Sequence, residues 1–135
     1  MIVDSSALIA YFDDKDPDHG RVVEIFDAAT EALTVSPYVV GEVDYLVASR
    51  QGVGVELAVL EQLAGGAWDL VAFGRDDLAE AIGLIGKYAD QDIGVTDASL
   101  VVLAKRHRTR TIATLDRRHF EVLRPLDGGR FTVVP

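Results

Sequence analysis

Apolar residues along the chain form short runs typical of buried strands, separated by longer segments with helical periodicity. The runs predict a sheet of about five strands, at residues 1–3, 33–36, 68–73, 111–114 and 131–134. The segments between them predict helices at 5–12, from 17, from 37, and at 54–64, 76–88, 97–107 and 117–123. Strands that alternate with helices are typical of an α/β fold with a mainly parallel sheet.

The same periodicity predicts which side of each helix faces the core. Asp16 is expected to cap the second helix and Pro17 to open it. The inward stripes of the second, third and fifth helices are expected to consist of Val22, Ile25, Phe26 and Ala29, of Val39, Val43, Leu46 and Val47, and of Leu78, Ile82 and Ile85. The helix at 97–107 is apolar on nearly every side and should be central.

Length and composition restrict the class of protein. The 135 residues, 49% of them hydrophobic, are expected to form one domain, residues 1–135, with a substantial core. Cysteine is absent, which excludes disulfides, thiolate nucleophiles and Cys-ligated zinc. The longest apolar runs, at 7–12 and 100–104, are much shorter than the roughly 20 residues that span a bilayer. Together with a start that lacks a signal-peptide pattern, this predicts a cytoplasmic protein without a membrane segment.

Charge is distributed unevenly along the chain, whose net charge is -9. Residues 1–97 hold 19 acidic and five basic residues, whereas residues 98–135 hold three acidic and eight basic ones. An acidic body with one basic region can attract a cation to the first and a phosphate or an acidic partner to the second.

Four carboxylates lie where predicted strands end or predicted helices begin. Asp4 directly follows the first strand, Glu42 lies on the helix after the second, Asp97 opens the apolar helix, and Asp116 follows residues 111–114. Because parallel strands end at one edge of a sheet, we expect the four side chains to converge there. Each aspartate taken alone is also explained as a helix cap.

Two of these carboxylates are harder to explain as caps. Glu42 lies on or beside the predicted inward stripe of its helix, and Asp97 opens a helix whose first turn should pack in the interior. An unpaired charge in either place is costly, and no basic residue is adjacent in the sequence. The basic residues 105–108 lie roughly 15 Å further along the helix of Asp97, too far to neutralise it.

Clustered carboxylates without nearby bases either retain protons or bind a hard divalent cation through oxygen ligands. We favour the cation. With three histidines and no cysteine in the chain, an oxygen site suits Mg²⁺ or Mn²⁺ better than zinc. Asp92 is either a further, water-mediated contact or a solvated loop residue.

The motifs around these residues resemble, in order and spacing, those of the PIN-domain ribonucleases. The motifs are MIVDSSALIAYF at the start, the Glu42 helix after SPYVV, then GVTDASLVVLA and TIATLDRRHF. Within that family, the length and the DRRHF segment are similar to those of the VapC toxins of bacterial toxin-antitoxin pairs. The resemblance extends from Met1 to Pro135.

This resemblance implies a PIN-like three-layer α/β/α sandwich, Mg²⁺-dependent cleavage of RNA that stops translation, a homodimeric toxin and a VapB-type antitoxin partner. It implies that Asp4 and Asp97 are the main metal-binding residues and that Glu42 and Asp116 are the other two acidic positions. Ser6 and Thr114 match hydroxyls that orient the carboxylates. Whether transfer RNA or ribosomal RNA is cut is left open.

The basic residues after Asp116 should lie at the edge of the same site. Arg117 and Arg118 are candidate contacts for RNA phosphates, although a solvated helix start explains them nearly as well. No Ser-His-Asp set is visible, so a metal-activated water is favoured over a covalent nucleophile.

Three other classes of protein share some of these features. A phosphotransfer receiver domain needs a lysine after a later strand, but no lysine follows Lys105. A dehalogenase-type phosphatase needs a second aspartate two residues after the first, where this chain has Ser6. A catalytically silent PIN-fold domain, with an RNA-binding or regulatory role, stays open as the alternative, because a sequence indicates ligands and not turnover.

Overall fold

Five short strands form one parallel sheet in the computed structural model, which describes residues 1–135. They are β1 (Ile2–Val3), β2 (Thr34–Val35), β3 (Asp69–Leu70), β4 (Thr111–Ala113) and β5 (Thr132–Val134), in the order β3-β2-β1-β4-β5. Every neighbouring pair is parallel. The predicted α/β class and parallel sheet are therefore confirmed, although β3 is shorter than the predicted run of 68–73.

Seven helices connect the strands. Between β1 and β2 lie α1 (Ser5–Phe12) and α2 (His19–Ala28), and between β2 and β3 lie α3 (Pro37–Gln51) and α4 (Val53–Ala64). The connection from β3 to β4 contains α5 (Arg75–Lys87) and α6 (Val95–Arg106), and α7 (Arg117–Val122) joins β4 to β5.

The strand order places a change of direction between β1 and β4. From β1 the chain proceeds to β2 and β3 on one side, then crosses back to β4 and β5 on the other. Right-handed crossovers therefore place α1 to α4 on one face of the sheet and α5 to α7 on the opposite face, which gives three layers. The crevice beyond the carboxyl ends of β1 and β4 is where open α/β sheets bind ligands.

The start of α2 differs from the prediction. Asp16 and Pro17 lie in the turn before the helix, whose first residue is His19. The Asp16 carboxylate accepts the Asp18 N–H at 2.8 Å, so it stabilises this turn instead of capping the helix.

The inward face of α5 also differs from the prediction. Its buried residues are Ala81 and Leu84, whereas Leu78 and Ile82 are 40% and 63% exposed. This helix packs mainly against α6, and two helices approach closely where small side chains meet. Periodicity alone therefore selected the larger side chains on a neighbouring stripe.

The centre of the molecule is α6, as predicted. Its residues 98–104 are buried consecutively, and all of them except Ser99 belong to the single large cluster of apolar side chains. None of the helices combines the length and the apolar character that crossing a membrane requires.

Candidate functional site

Asp4 lies where β1 ends and α1 begins, and it is 7% exposed. As the N-cap of α1 it accepts the Ser5 N–H at 2.7 Å through Oδ1. Its Oδ2 accepts the hydroxyl of Ser6 at 2.9 Å and that of Thr114 at 2.6 Å. Asp4 therefore caps a helix and also forms the centre of a polar network.

The hydroxyls of Ser6 and Thr114 have one proton each, and both protons are donated to Asp4. The two hydroxyl oxygens lie 3.1 Å apart but have no proton left to share. Each accepts a main-chain N–H instead, Ser6 from Leu115 at 3.0 Å and Thr114 from Asp116 at 3.1 Å. This network joins the end of β1 to the segment after β4.

Glu42 extends from α3 towards the same place but is exposed. The buried residues of this helix are Val39, Val43 and Val47, and Glu42 is one residue, about 100° of helix rotation, away from that stripe. Of the two expected placements, on the inward stripe or beside it, the structure therefore has Glu42 beside it. Its partner is the buried Ser5, whose hydroxyl donates to Glu42 Oε1 at 2.6 Å and which the sequence analysis did not single out.

Asp97 lies in the first turn of α6, with a side chain 20% exposed. Burial raises the pKa of its carboxyl group; His119 and the Gly94 N–H oppose that shift, and the nearby Asp4 carboxylate adds to it. Asp97 Oδ2 accepts the Gly94 N–H at 3.3 Å and lies 3.4 Å from His119 Nδ1. His119, which follows Asp116 and was expected at the edge of the site, reaches Asp97 from α7; this contact could not be predicted from adjacency in the sequence.

Asp116 caps α7 and forms a two-point pair with Arg118, whose Nε and Nη2 lie 3.1 and 3.0 Å from its carboxylate oxygens. This pairing lowers the pKa of Asp116. Arg118 is 83% exposed, so the pair lies in solvent and contributes little to stability. Arg117 instead contacts the main-chain oxygen of Pro135. Asp92 is exposed and lies outside the cavity described next.

The four predicted carboxylates line one cavity of about 270 Å³ at the β1 and β4 crevice. Serines, His119 and Phe120 complete much of the lining, which contains no lysine or arginine. No three Asp, Glu or His side chains are grouped closely enough to bind one metal ion together. Asp116 is paired with Arg118, and Asp97 lies beside His119. In chemistry, this oxygen-rich donor set fits Mg²⁺ or Mn²⁺.

Two buried serines connect the helices that hold Glu42 and Asp97. Ser99 on α6 donates its hydroxyl proton to the Thr96 carbonyl at 2.6 Å. Because that proton is used, Ser99 must be the acceptor in its contact with Ser36, the N-cap of α3, whose hydroxyl oxygen lies 2.7 Å away. The sequence contained a signal for this contact: a serine within an apolar helix needs a buried partner.

Comparison with known proteins shows close similarity over the whole chain. Residues 1–124 match the family model of the PIN domain. The chain is 61% identical over 135 residues to ribonuclease VapC26 of Mycobacterium tuberculosis, with both chains covered completely.

Solved structures share the fold. VapC20 of Mycobacterium tuberculosis, described as a toxin that cleaves the sarcin-ricin loop, superposes with a TM-score of 0.84 at 17% identity, covering 99% of this chain and 98% of that one. The DNA-bound VapBC of Salmonella typhimurium superposes with a TM-score of 0.73 at 19% identity, covering 98% and 96%. Because the sequence identities are only 17% and 19%, these two similarities show a shared fold and no more.

Proposed function

The chain belongs to the PIN-domain family, within its VapC ribonuclease toxins, and from this premise we propose that it is a Mg²⁺-dependent endoribonuclease. The observation that supports the metal dependence is the cavity at the β1 and β4 crevice. Four carboxylates line it. Arg118 pairs with Asp116 from outside the lining, but no lysine or arginine pairs with Asp4, Glu42 or Asp97. A polyanionic substrate is repelled from such a cavity unless a cation is bound.

The residues of the cavity have distinct parts in this proposal. Asp4, Glu42, Asp97 and Asp116 would hold Mg²⁺ or Mn²⁺, which when bound lowers the pKa of a water and stabilises charge on the phosphate. Ser6 and Thr114 hold Asp4 in one orientation. Asp116 is the least available of the four, because Arg118 occupies its two oxygens.

A covalent route has less support from the hydrogen bonds of the cavity. The hydroxyl protons of Ser5 and Ser6 are donated to carboxylates. His119, the histidine in the cavity, contacts Asp97 and neither serine. The cavity therefore lacks the pair of nucleophile and adjacent imidazole that serine hydrolases use.

The direct test is cleavage of purified RNA with Mg²⁺ or with EDTA. We expect discrete fragments with Mg²⁺, none with EDTA, and a loss of activity of at least about 100-fold in Asp4→Asn and Asp97→Asn. Asp90→Asn removes an exposed carboxylate outside the cavity and should cleave as the parent does. Fragments that persist unchanged in Asp4→Asn and Asp97→Asn would exclude this mechanism.

The same test decides the alternative of a catalytically silent PIN-fold domain. In its favour is the finding that no three ligands are grouped around one point. A protein that binds RNA with Mg²⁺ present but yields no fragments would establish that alternative.

The proposed substrate is an RNA of the translation machinery, transfer or ribosomal. One structural relative is described as cleaving the sarcin-ricin loop, and the relative at 61% identity is named a ribonuclease. Sequencing the ends of RNA fragments from cells that express the protein would identify the cleaved bond.

We further propose a VapB-type antitoxin partner, since the relatives of similar fold include a VapBC complex. An antitoxin arginine could pair with Asp4, Glu42 or Asp97 in place of the cation and thereby block catalysis. Co-expression with the neighbouring small open reading frame should yield a complex, which Asp97→Asn weakens. A protein that is active but harmless to cells when expressed alone would contradict this proposal.

A homodimer is proposed as well. Large apolar side chains are exposed on α3 and α4, namely Tyr45 at 70%, Val53 at 67% and Leu57 at 55%. Light scattering at micromolar concentration should give twice the chain mass, and Tyr45→Glu tests whether this surface is the contact. A monomeric mass for the parent protein would contradict the proposal.

A further inference from the structure

A second, basic cavity of about 180 Å³ lies beside the acidic one. It is lined by Arg117, Arg124 and Arg130, by the rings of Phe120 and Phe131, and by Glu121 and Val133. We call it the arginine cleft.

The three arginines of the cleft have no side-chain carboxylate partner. None of them forms an ion pair in the structure, whereas Arg21, Arg106, Arg110 and Arg118 each do. Arg124 donates to main-chain carbonyls at the end of α7, and Arg117 contacts the Pro135 oxygen. Arg130 is exposed and makes no hydrogen bond to protein. The cleft has three guanidinium groups and one carboxylate, that of Glu121, so its local charge is positive although the net charge of the chain is -9.

The arginine cleft adjoins the acidic cavity. Phe120 lines both, and Arg117 directly follows Asp116 of the acidic cavity. Phe120 is 3% exposed and packs edge to face on Phe131 at 6.0 Å, so a rigid aromatic pair forms the boundary. A linear polyanion that is cut in the acidic cavity must extend beyond it. On the side of the arginine cleft, guanidinium groups and an aromatic ring are available to contact it.

From this arrangement we infer that the arginine cleft binds the RNA strand next to the cleaved bond, through a backbone phosphate on the guanidinium groups. The inference rests on the proposed function and adds where the substrate lies. Phosphate contacts of this kind position a strand without reading its sequence. The arginine cleft therefore contributes affinity for the RNA strand and fixes its position, and the acidic cavity carries out the cleavage.

The test is binding of a labelled single-stranded RNA of about 12 nucleotides, followed by fluorescence anisotropy with Ca²⁺ in place of Mg²⁺ at several salt concentrations, so that a cation offsets the carboxylates of the acidic cavity. Arg117→Gln with Arg130→Gln should weaken binding about tenfold and reduce the slope of log Kd against log salt by about 1.4, at about 0.7 per phosphate contact. Arg130→Gln alone, which removes no protein contact, should reduce the slope by about 0.7.

The matched control is Lys15→Gln with Arg50→Gln. It removes the same charge from side chains that follow or end α1 and α3, at the opposite edge of the sheet, and should change Kd less than about twofold. An equal loss in this control, or unchanged binding in the arginine cleft variant, overturns the inference. So does a variant that binds RNA normally but loses the antitoxin, because the cleft would then receive an acidic peptide.

Failure of the inference and failure of the proposed function give different results. If the parent protein cleaves RNA and the variant with Arg117→Gln and Arg130→Gln binds as the parent does, only the inference fails. If the parent protein binds RNA with the expected arginine dependence but cleaves none, only the proposed function fails.

Discussion

The Asp4 carboxylate accepts hydrogen bonds from the Ser5 N–H and from the hydroxyls of Ser6 and Thr114, so donors that follow β1 and β4 determine its orientation. The contact with the Ser5 N–H is one that any N-cap aspartate can make, whereas the contacts with the two hydroxyls require Ser6 and Thr114 at these positions. A carboxylate held in this way presents a fixed set of remaining lone pairs. Such preorganisation is what a metal ligand requires of its surroundings.

Thr114→Val removes one of these hydroxyls and keeps the shape of the side chain. Valine also leaves the Asp116 N–H without its acceptor, so Asp4 loses a donor and the segment after β4 loses an anchor. We expect RNA cleavage to fall about 10- to 100-fold. Thr114→Ser restores the donor and should recover most of the rate. Equal cleavage rates in the valine variant and the parent would contradict the orienting role of this hydroxyl.

Asp97→Asn should stabilise the metal-free protein at neutral pH. Since burial raises the pKa of Asp97 in the folded state, its contribution to stability is present below the unfolded pKa of about 3.9 and is lost as pH rises through the folded value. Asparagine has no charge to lose, so in EDTA at pH 7 we expect about 1 kcal/mol of added stability by urea unfolding.

The pH dependence provides the control for this prediction. The advantage of Asp97→Asn over the parent should shrink as the pH falls towards the unfolded pKa, whereas Asp90→Asn should show little difference at any pH. An Asp97→Asn protein that is less stable than the parent at pH 7 in EDTA would show that His119 already compensates the charge.

Much of the site could be predicted at the residue scale, because Asp4, Asp97 and Asp116 each follow a strand or begin a helix. Their partners could not. Ser5 bonds to Glu42, and His119 lies beside Asp97, across distances in sequence that periodicity does not address. Whether a hydroxyl donates to a carboxylate or to the main chain depends on rotamers, which composition and spacing leave open.

At the scale of elements, α3 and α6 are joined by the buried contact between Ser36 and Ser99. Both residues are fully buried, and each hydroxyl proton has a defined acceptor. Because α3 holds Glu42 and α6 holds Asp97, this contact determines how the two carboxylates are spaced across the cavity.

Ser99→Ala should destabilise the protein more than the loss of a single oxygen atom suggests. The substitution leaves the Ser36 hydroxyl without its acceptor, at a cost of about 1–3 kcal/mol in urea unfolding. Ser49→Ala is the matched control, since Ser49 is an exposed serine on α3 whose hydroxyl bonds to the Tyr45 carbonyl. We expect its effect to stay within about 0.5 kcal/mol. Equal effects of the two substitutions would show that the buried contact contributes nothing specific.

The sequence predicted the positions of the helices and strands well, and it predicted less well which side of each helix faces the core. Predicted bounds of most helices lie within two residues of those observed, since caps and proline positions are local signals. In the predicted stripe of α5, Ile85 packs against the core, but Leu78 and Ile82 are exposed and Ala81 is buried in their place. For Glu42, periodicity could not decide between a position on the stripe and one beside it, because a single residue of helix rotation separates the two.

At the scale of the whole molecule, charge is separated into an acidic cavity and a basic cleft that share Phe120. The sequence already showed acidic residues before position 98 and basic ones after it. Parallel strands alone predicted that Asp97 of the first part and Asp116 of the second lie at one edge of the sheet, and both line the acidic cavity. The order of the strands, which places β4 beside β1, was not predicted.

Mg²⁺ should stabilise the folded protein by mass action. A cation that relieves repulsion among the cavity carboxylates binds only the folded chain, so Tm should rise with Mg²⁺ concentration, by an amount equivalent to about 2.7 kcal/mol at 100 times Kd. Asp4→Asn should abolish most of this rise and Asp90→Asn should preserve it. A rise that sodium chloride reproduces at equal ionic strength would indicate general screening instead.

The contact between Thr114 and Asp4 spans 110 residues of the sequence. During synthesis the chain emerges amino end first, at about 5–20 residues per second. Asp4 therefore lacks its hydroxyl partner until residue 114 has left the ribosome. If the protein cuts RNA of the translation machinery, the nascent chain cannot complete its site, and cannot cut the ribosome that is making it, until these 110 further residues have been added.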